Sequence, residues 1–171
     1  MSAPETPPPP FDTREFRRAL GTFPTGVAVV TTVNPEGRPV GLTCNSFSSV
    51  SLSPPLVLWS LAQHSPSLPV FLQAPLFAVN VLCGSQLALS MRFSQPIKDK
   101  FEGMNWRAGE GGLPLLADAA ATLECRNEIR HYTGDHVIFI GHVLRFAYNA
   151  NAPLVFAHGQ YRALIEHPDC P

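Results

Sequence analysis

The chain has 171 residues, 45% of them hydrophobic, with four cysteines and a formal net charge of −1. That length suits one domain with a sizeable core, or one half of a dimer. The near-neutral balance supplies no field that would draw nucleic acid or an anionic membrane surface, and no apolar run approaches the roughly 18 residues of a membrane-crossing helix.

Residues 1–10 (MSAPETPPPP) are acidic and proline-rich, the composition of a disordered or polyproline-like tail and not of a signal peptide. The domain is expected over 11–166, followed by a short tail at 167–171. Cys44, Cys83, Cys125 and Cys170 lie far apart with no Cys-x-x-Cys pair, so they read as reduced thiols of a cytoplasmic protein.

A helix opens the domain. Asp12 and Glu15 form a capping pair, Phe16, Ala19, Leu20 and Phe23 recur at helical spacing, and Pro24 stops it. Gly26–Val33 is a β-branched strand, and the Asn34-Pro35-Glu36-Gly37 turn predicts a hairpin partner from Val40 onward that runs to Pro54-Pro55. Leu56–Leu61 is a third strand. Ser65–Gln73 is a short helix that Pro69 limits to its first turns. Leu76–Leu82 reads as a buried strand, Gln86–Phe93 and Ile97–Phe101 as short helical pieces, and 103–114, with four glycines and a proline, as a loop.

Thr122–Arg130 alternates. Leu123, Cys125 and Ile129 fall on one face, and Thr122, Glu124, Arg126, Glu128 and Arg130 fall on a wet one. His136–Tyr148 is a long strand, and Leu154–Phe156 with Gln160–Leu164 closes the sheet. Many strands, few long helices and hairpin-like turns predict a mainly β fold, an antiparallel β-barrel with short helices at its ends.

Several residue groups have chemistry to offer. Residues 43–55 (TCNSFSSVSLSPP) place small hydroxyl and amide side chains between two apolar strands, where a purely structural strand would use Val, Ile or Leu. Thr43, Asn45 and Ser46 suit a flat, hydrogen-bond-rich ligand, or a polar edge strand satisfying a turn. Cys44 has no neighbour that would activate a thiol and reads as a small buried filler whose backbone matters. Thr25-Gly26-Val27 allows close backbone approach to a ligand, or forms a plain turn. Ser60, His64 and Ser65 precede a helix start, which suits a phosphate or a simple cap. Lys100 offers a point charge to a phosphate and Phe93 and Phe101 a ring wall, although solvated lysines and core phenylalanines are ordinary.

The ordered blocks FRRALGTFPTGVAVVTT (16–32), GLTCNSFSSVSLSPPLVLWSL (41–61), FAVNVL (77–82), DKF (99–101), GDHVIFIGHV (134–143) and PLVFAHGQYRAL (153–164) resemble the flavin reductase family. That family is built on the FMN-binding split barrel and supplies the reductase partners of two-component flavin monooxygenases. The resemblance covers about Phe16 to Leu164. It implies a split β-barrel homodimer, FMN or FAD near the subunit boundary, NADH or NADPH as hydride donor, and a monooxygenase receiving reduced flavin. It carries Thr25, Gly26, Val27, Thr43, Cys44, Asn45, Ser46, Ser60, Ser65, Phe93, Lys100 and Phe101 over as flavin-binding candidates. Gly134, Asp135 and His136 match the family's nicotinamide tripeptide, and His158, Gly159 and Tyr161 are carried over to the same pocket.

Hydride passes directly from nicotinamide to flavin N5, so no side chain need act as acid or base in that step. His136, the candidate catalytic residue, is therefore expected to position the two rings, with Asp135 beside it. A turn capped by His136 is the plain alternative. A flavin carrier without turnover and a reductase of a metal-centred cofactor such as a corrinoid are the rival functions. No His-Glu-x-x-His, Gly-x-Gly-x-x-Gly or Gly-x-Ser-x-Gly motif is present, so a metal site, a Rossmann domain and an α/β-hydrolase are not expected.

Overall fold

The computed structural model describes residues 11–166 and Asp169. The expectations for the 1–10 tail, for Cys170 and for most of 167–171 lie outside the described residues. Helix α1 (Thr13–Leu20) is capped by the Asp12 carboxylate, which accepts from the amides of Arg14 at 2.8 Å and Glu15 at 3.2 Å, but the expected pair does not close, because the Glu15 carboxylate accepts from Arg18 instead. None of its eight residues is buried.

The strands are β1 (Thr25–Gly26), β2 (Ala28–Val33), β3 (Pro39–Cys44), β4 (Ser48–Leu52), β5 (Pro55–Ala62), β6 (Leu76–Val81), β7 (Trp106–Ala108), β8 (Pro114–Leu116), β9 (Ala121–Thr133), β10 (His136–Tyr148), β11 (Val155–Ala157) and β12 (Gln160–Arg162). Helices α2 (Leu68–Gln73) and α3 (Leu87–Ser94) complete the set, the latter led by a 3-10 turn at Gly84–Gln86. No described helix is long and apolar enough to cross a membrane.

Seven strands form one antiparallel sheet in the order β3-β2-β6-β9-β10-β5-β4. Its outermost strands, β3 and β4, are joined by only Asn45–Phe47. A flat seven-strand sheet would set them about 29 Å apart, whereas four Cα steps reach at most about 15 Å, so the sheet must curl. No ladder links β3 to β4, so the barrel is split at this seam.

The curl encloses Trp59, Phe71, Phe77, Val79 and Phe139, with Trp59 stacked on Phe139 at 4.7 Å. A second cluster, including Val27, Val29, Leu82, Phe93 and Phe101, lies on the outer side of β2. Strand β2 is thus buried on both faces, which explains its unbroken Val-rich run. Helix α2 is docked by Asn127, whose amide donates to the carbonyls of Phe71 and Ala74, both at 2.9 Å, capping the helix C-terminus.

Several expected elements differ. The strand from Val40 to Pro54 is two strands broken at Asn45–Phe47. Pro69 lies in the first turn of α2, where its missing N–H costs nothing, so it opens the helix and does not shorten it. Ile97–Phe101 is not helical, because the Asp99 carboxylate accepts from the amides of Phe101 and Glu102 and Arg92 holds the Asp99 and Glu102 carbonyls. Residues 103–114 contain β7 and lead into β8. Buried Asn80 accepts from the Leu116 amide at 2.8 Å, and Thr31 donates to the Pro114 carbonyl at 2.6 Å.

The alternation of β9 also breaks. Ile140 faces Ile129 but Gly141 faces Asn127, a bulge that moves Ile129 off the Cys125 face and leaves it 42% exposed. Glu124, expected to be wet, is 7% exposed and accepts from the Glu110 amide. Finally, β11 and β12 do not close the main sheet. With β1 they form a separate three-stranded sheet.

Candidate active site

Period-two alternation decides which side chains of β3, β5 and β10 reach the outer face of the barrel. Val40, Leu42 and Cys44 join the inner core, which turns Gly41, Thr43 and Asn45 outward. Val57, Trp59 and Leu61 point in, leaving Ser60 and Ala62 out. Strand β10 pairs His136 with Ala62 and Ile138 with Ser60 in the same register. These outward rungs form one wall of a cavity of about 460 Å³, and the end of α3 with Gln95, Pro96 and Lys100 forms the other.

The structure brings Thr43, Cys44, Asn45, Ser46, Ser60, Ser65, Phe93, Lys100 and His136 together around this cavity. One side chain ties the β3–β4 connection to β5. The Ser46 hydroxyl accepts from the Ser60 amide at 2.9 Å and donates to the Ser60 carbonyl at 3.2 Å. Thr43 donates to the Ser90 carbonyl at 2.7 Å, and the Ser90 hydroxyl bonds Tyr161 Oη at 2.8 Å, so α3 ties β3 to β12. No hydrogen bond is found for the Asn45 amide among the described residues. Burial pushes the Cys44 thiol up to about 12, against weaker opposing hydrogen bonds from Ser46 and Phe47. The thiol is therefore neutral, and Cys44 contributes backbone to the wall.

On the opposite wall, Lys100 Nζ donates to the Phe93 carbonyl at 2.7 Å and to that of Gly41 at 3.4 Å, and burial lowers the ammonium's pKa. Lys100 thus staples the segment after α3 to β3. The Phe93 ring meets Phe101 edge-on at 5.0 Å, and Phe101 packs in turn on Trp106. Phe101 lies behind the cavity and does not line it. Ser65 Oγ accepts weakly from the Ser67 amide at 3.4 Å, ahead of a helix that begins only at Leu68.

At the mouth, His136 Nδ1 lies 2.7 Å from Asp135 Oδ1, and Nε2 has no hydrogen-bond partner among the described residues. The hydrogen bond to His136, with the charge of that ring and more weakly of His64, lowers the Asp135 pKa. Gly134, at φ 53°, takes the first position of the two-residue β9–β10 turn. Sequence reasoning missed Gln63, which bonds this turn, and Ser90. An exposed glutamine and a mid-helix serine carry no local signal, and their roles arise only from pairing across the chain.

The remaining candidates lie elsewhere. Val27 and Tyr161 line a smaller cavity of about 130 Å³ that shares Thr43, Cys44 and Asn45 with the first. Thr25 and Gly26 pair with Phe156 and Val155, and Thr25 Oγ1 is enclosed without a partner among the described residues. His158 and Gly159 form the β11–β12 turn against α1, where the His158 amide donates to the Gly21 carbonyl at 2.6 Å. They do not line the cavity of about 460 Å³ that His136 borders.

A family model described as flavin reductase like domain matches residues 20–164. The chain is 46% identical over 150 residues to the FMN reductase (NADH) SmoA of Agrobacterium fabrum, covering 88% of this chain and 85% of SmoA. It is 38% identical over 155 residues to HsaB of Rhodococcus jostii, a flavin-dependent monooxygenase reductase subunit, covering 90% and 79%. Some relatives are longer, and the chain spans only 49% of a probable flavin reductase of Rhizobium meliloti. Among solved structures, the NADH:FAD oxidoreductase SgcE6 of Streptomyces globisporus, in complex with NAD and FAD fragments, superposes with a TM-score of 0.87 at 39% identity. That match covers 94% of this chain and 96% of SgcE6.

Proposed function

Because this chain belongs to the flavin reductase family, we propose that it is an NADH- or NADPH-dependent flavin reductase that passes reduced FMN or FAD to a partner monooxygenase. The observation that carries this reading is the convergence of the polar outer rungs of β3 and β5 with His136 on one cavity. Its volume of about 460 Å³ lies within the roughly 300–1,000 Å³ of small-molecule sites. The Asn45 amide, unpaired among the described residues, is available to a heteroaromatic ring.

Thr43 to Ser46 and Ser60 would hold the flavin ring and ribityl chain, Ser65 and Lys100 would lie toward the phosphate, and Phe93 would back the wall. Val27 and Tyr161 support the shared wall from behind. Bound flavin supplies the acceptor for hydride. The chain's own task is to stack the two rings and exclude water, and His136, its Nδ1 engaged by Asp135, presents Nε2 to the donor.

The protein acts as a homodimer. Helix α1 supports this, with Phe16 at 48%, Leu20 at 59% and the following Phe23 at 75% exposed, large apolar side chains left mostly uncovered in one protomer. The test is a steady-state matrix of NADH and NADPH against FMN and FAD. Flavin-dependent nicotinamide oxidation at catalytic protein concentration supports the reading, and its absence in all four combinations ends it.

A further inference from the structure

Strand β5 ends at Ala62, paired with His136, so Gly134 and Asp135 project one turn beyond the last rung. A two-residue turn led by glycine is the softest point of a hairpin, because glycine adds no side-chain restraint and the carbonyls face water. Here each of the three carbonyls of the Gly134-Asp135-His136 tripeptide has a donor on Gln63. The Gln63 amide nitrogen Nε2 donates to the Gly134 carbonyl at 3.0 Å and the His136 carbonyl at 3.5 Å, and the Gln63 main-chain N–H donates to the Asp135 carbonyl at 2.9 Å. One residue donates to all three carbonyls of the tripeptide.

We propose that Gln63 is a positioning residue for the nicotinamide donor, clamping the Gly134–His136 turn so that the Asp135–His136 pair stays at the cavity mouth. It does not line the cavity. It acts on the backbone that fixes Cα of His136, while the 2.7 Å contact with Asp135 fixes the ring. Only the side-chain half of the clamp is open to substitution. The main-chain bond to Asp135 persists in any variant except proline, and Gln63 is exposed, so truncation leaves the core intact. The functional half of this inference rests on the reductase reading; the structural half does not.

Three variants separate the possibilities. Gln63→Ala removes the donor, Gln63→Lys keeps a donor of similar reach, and Gln63→Glu sets acceptors against two carbonyls. The expected result is a KM for NADH raised on the order of tenfold in Gln63→Ala and further in Gln63→Glu. Flavin affinity, read by fluorescence quenching, stays within about twofold, and Gln63→Lys restores the KM. Amide hydrogen exchange at residues 134–136 is expected to accelerate in Gln63→Ala and Gln63→Glu but not in Gln63→Lys. Unchanged exchange in the Ala and Glu variants overturns the clamp whatever the activity. Faster exchange with an unchanged KM in an active enzyme overturns the positioning role. A wild-type protein without turnover overturns the reductase reading, and the exchange data still decide the clamp.

Discussion

Ser46 and Ser60 are joined twice, by an amide-to-hydroxyl bond of 2.9 Å and a hydroxyl-to-carbonyl bond of 3.2 Å. Ser48 pairs with Leu58 in the β4–β5 ladder, so Ser46 stands where the next rungs would place a partner for Ser60. The side chain completes the ladder where the backbone has left it, at the seam that forms the cavity wall. Ser46→Ala leaves the Ser60 amide without its acceptor. The expected loss is roughly 1–3 kcal/mol of stability, together with weaker flavin binding. Chemical denaturation and flavin fluorescence titration check the two effects separately.

His136→Ala removes the group at the mouth without touching the seam. KM for the nicotinamide donor should rise about tenfold or kcat fall comparably, while the flavin Kd stays nearly unchanged. Equal kinetics for variant and wild type would take His136 out of the site.

The Asp135–His136 contact has its own pH signature. Hydrogen bonding to His136 lowers the Asp135 pKa from its ordinary 3.8. A carboxyl lowered in the folded state contributes stability that is present above 3.8 and lost as pH falls through the lowered folded value. In His136→Ala the carboxyl should titrate back toward 3.8, which a carbon-13 NMR titration of the Asp135 side chain reads directly.

Cys44 and Cys125 are both buried, with thiols pushed up to about 12 by burial, and Cys83 is buried too. At pH 8 almost none of Cys44 or Cys125 is thiolate, so neither should be alkylated by iodoacetamide in the native protein. Both should react fully after unfolding. Peptide-resolved mass spectrometry tests this, and rapid native labelling of Cys44 would reopen a chemical role for its sulfur.

Gly41 sits under the Phe93 ring. A Cβ there would meet Phe93 Cε1 at 2.8 Å, and the ring cannot retreat because Phe101 stands behind it. Gly41→Ala should cost about 1–3 kcal/mol and displace the carbonyl that Lys100 holds. A thermal scan gives the stability, and flavin titration gives the effect on the wall.

The long elements and the polar wall were legible because they depend on local period and residue type. His136–Tyr148 reads correctly as one strand, and the small polar side chains of 43–46, with Cys44 as a buried filler among them, mark the wall by residue type. What escaped depends on distant partners. The bulge opposite Ile140 reverses the facing of Ile129, and nothing in the alternation of β9 announces it. Residues 103–114 look like a loop from their glycines, yet Thr31 and Asn80 pin the segment that follows them from two other strands. Phe101 belongs to a block that resembles a binding motif, and its ring serves the core. Gln63 was unreadable because its three bonds all reach a turn about 70 residues away.

Helix α1 carries a consequence for handling the protein. A segment that buries nothing of its own draws its order from whatever covers it, and in the proposed homodimer that cover would be supplied by the second copy, at the protomer concentration of the sample. Dilution should therefore be felt first at residues 13–20, as fraying and a fall in apparent melting temperature, before the sheet loosens. Assays run at nanomolar enzyme and structures solved at millimolar enzyme would then sample different ends of the same association equilibrium.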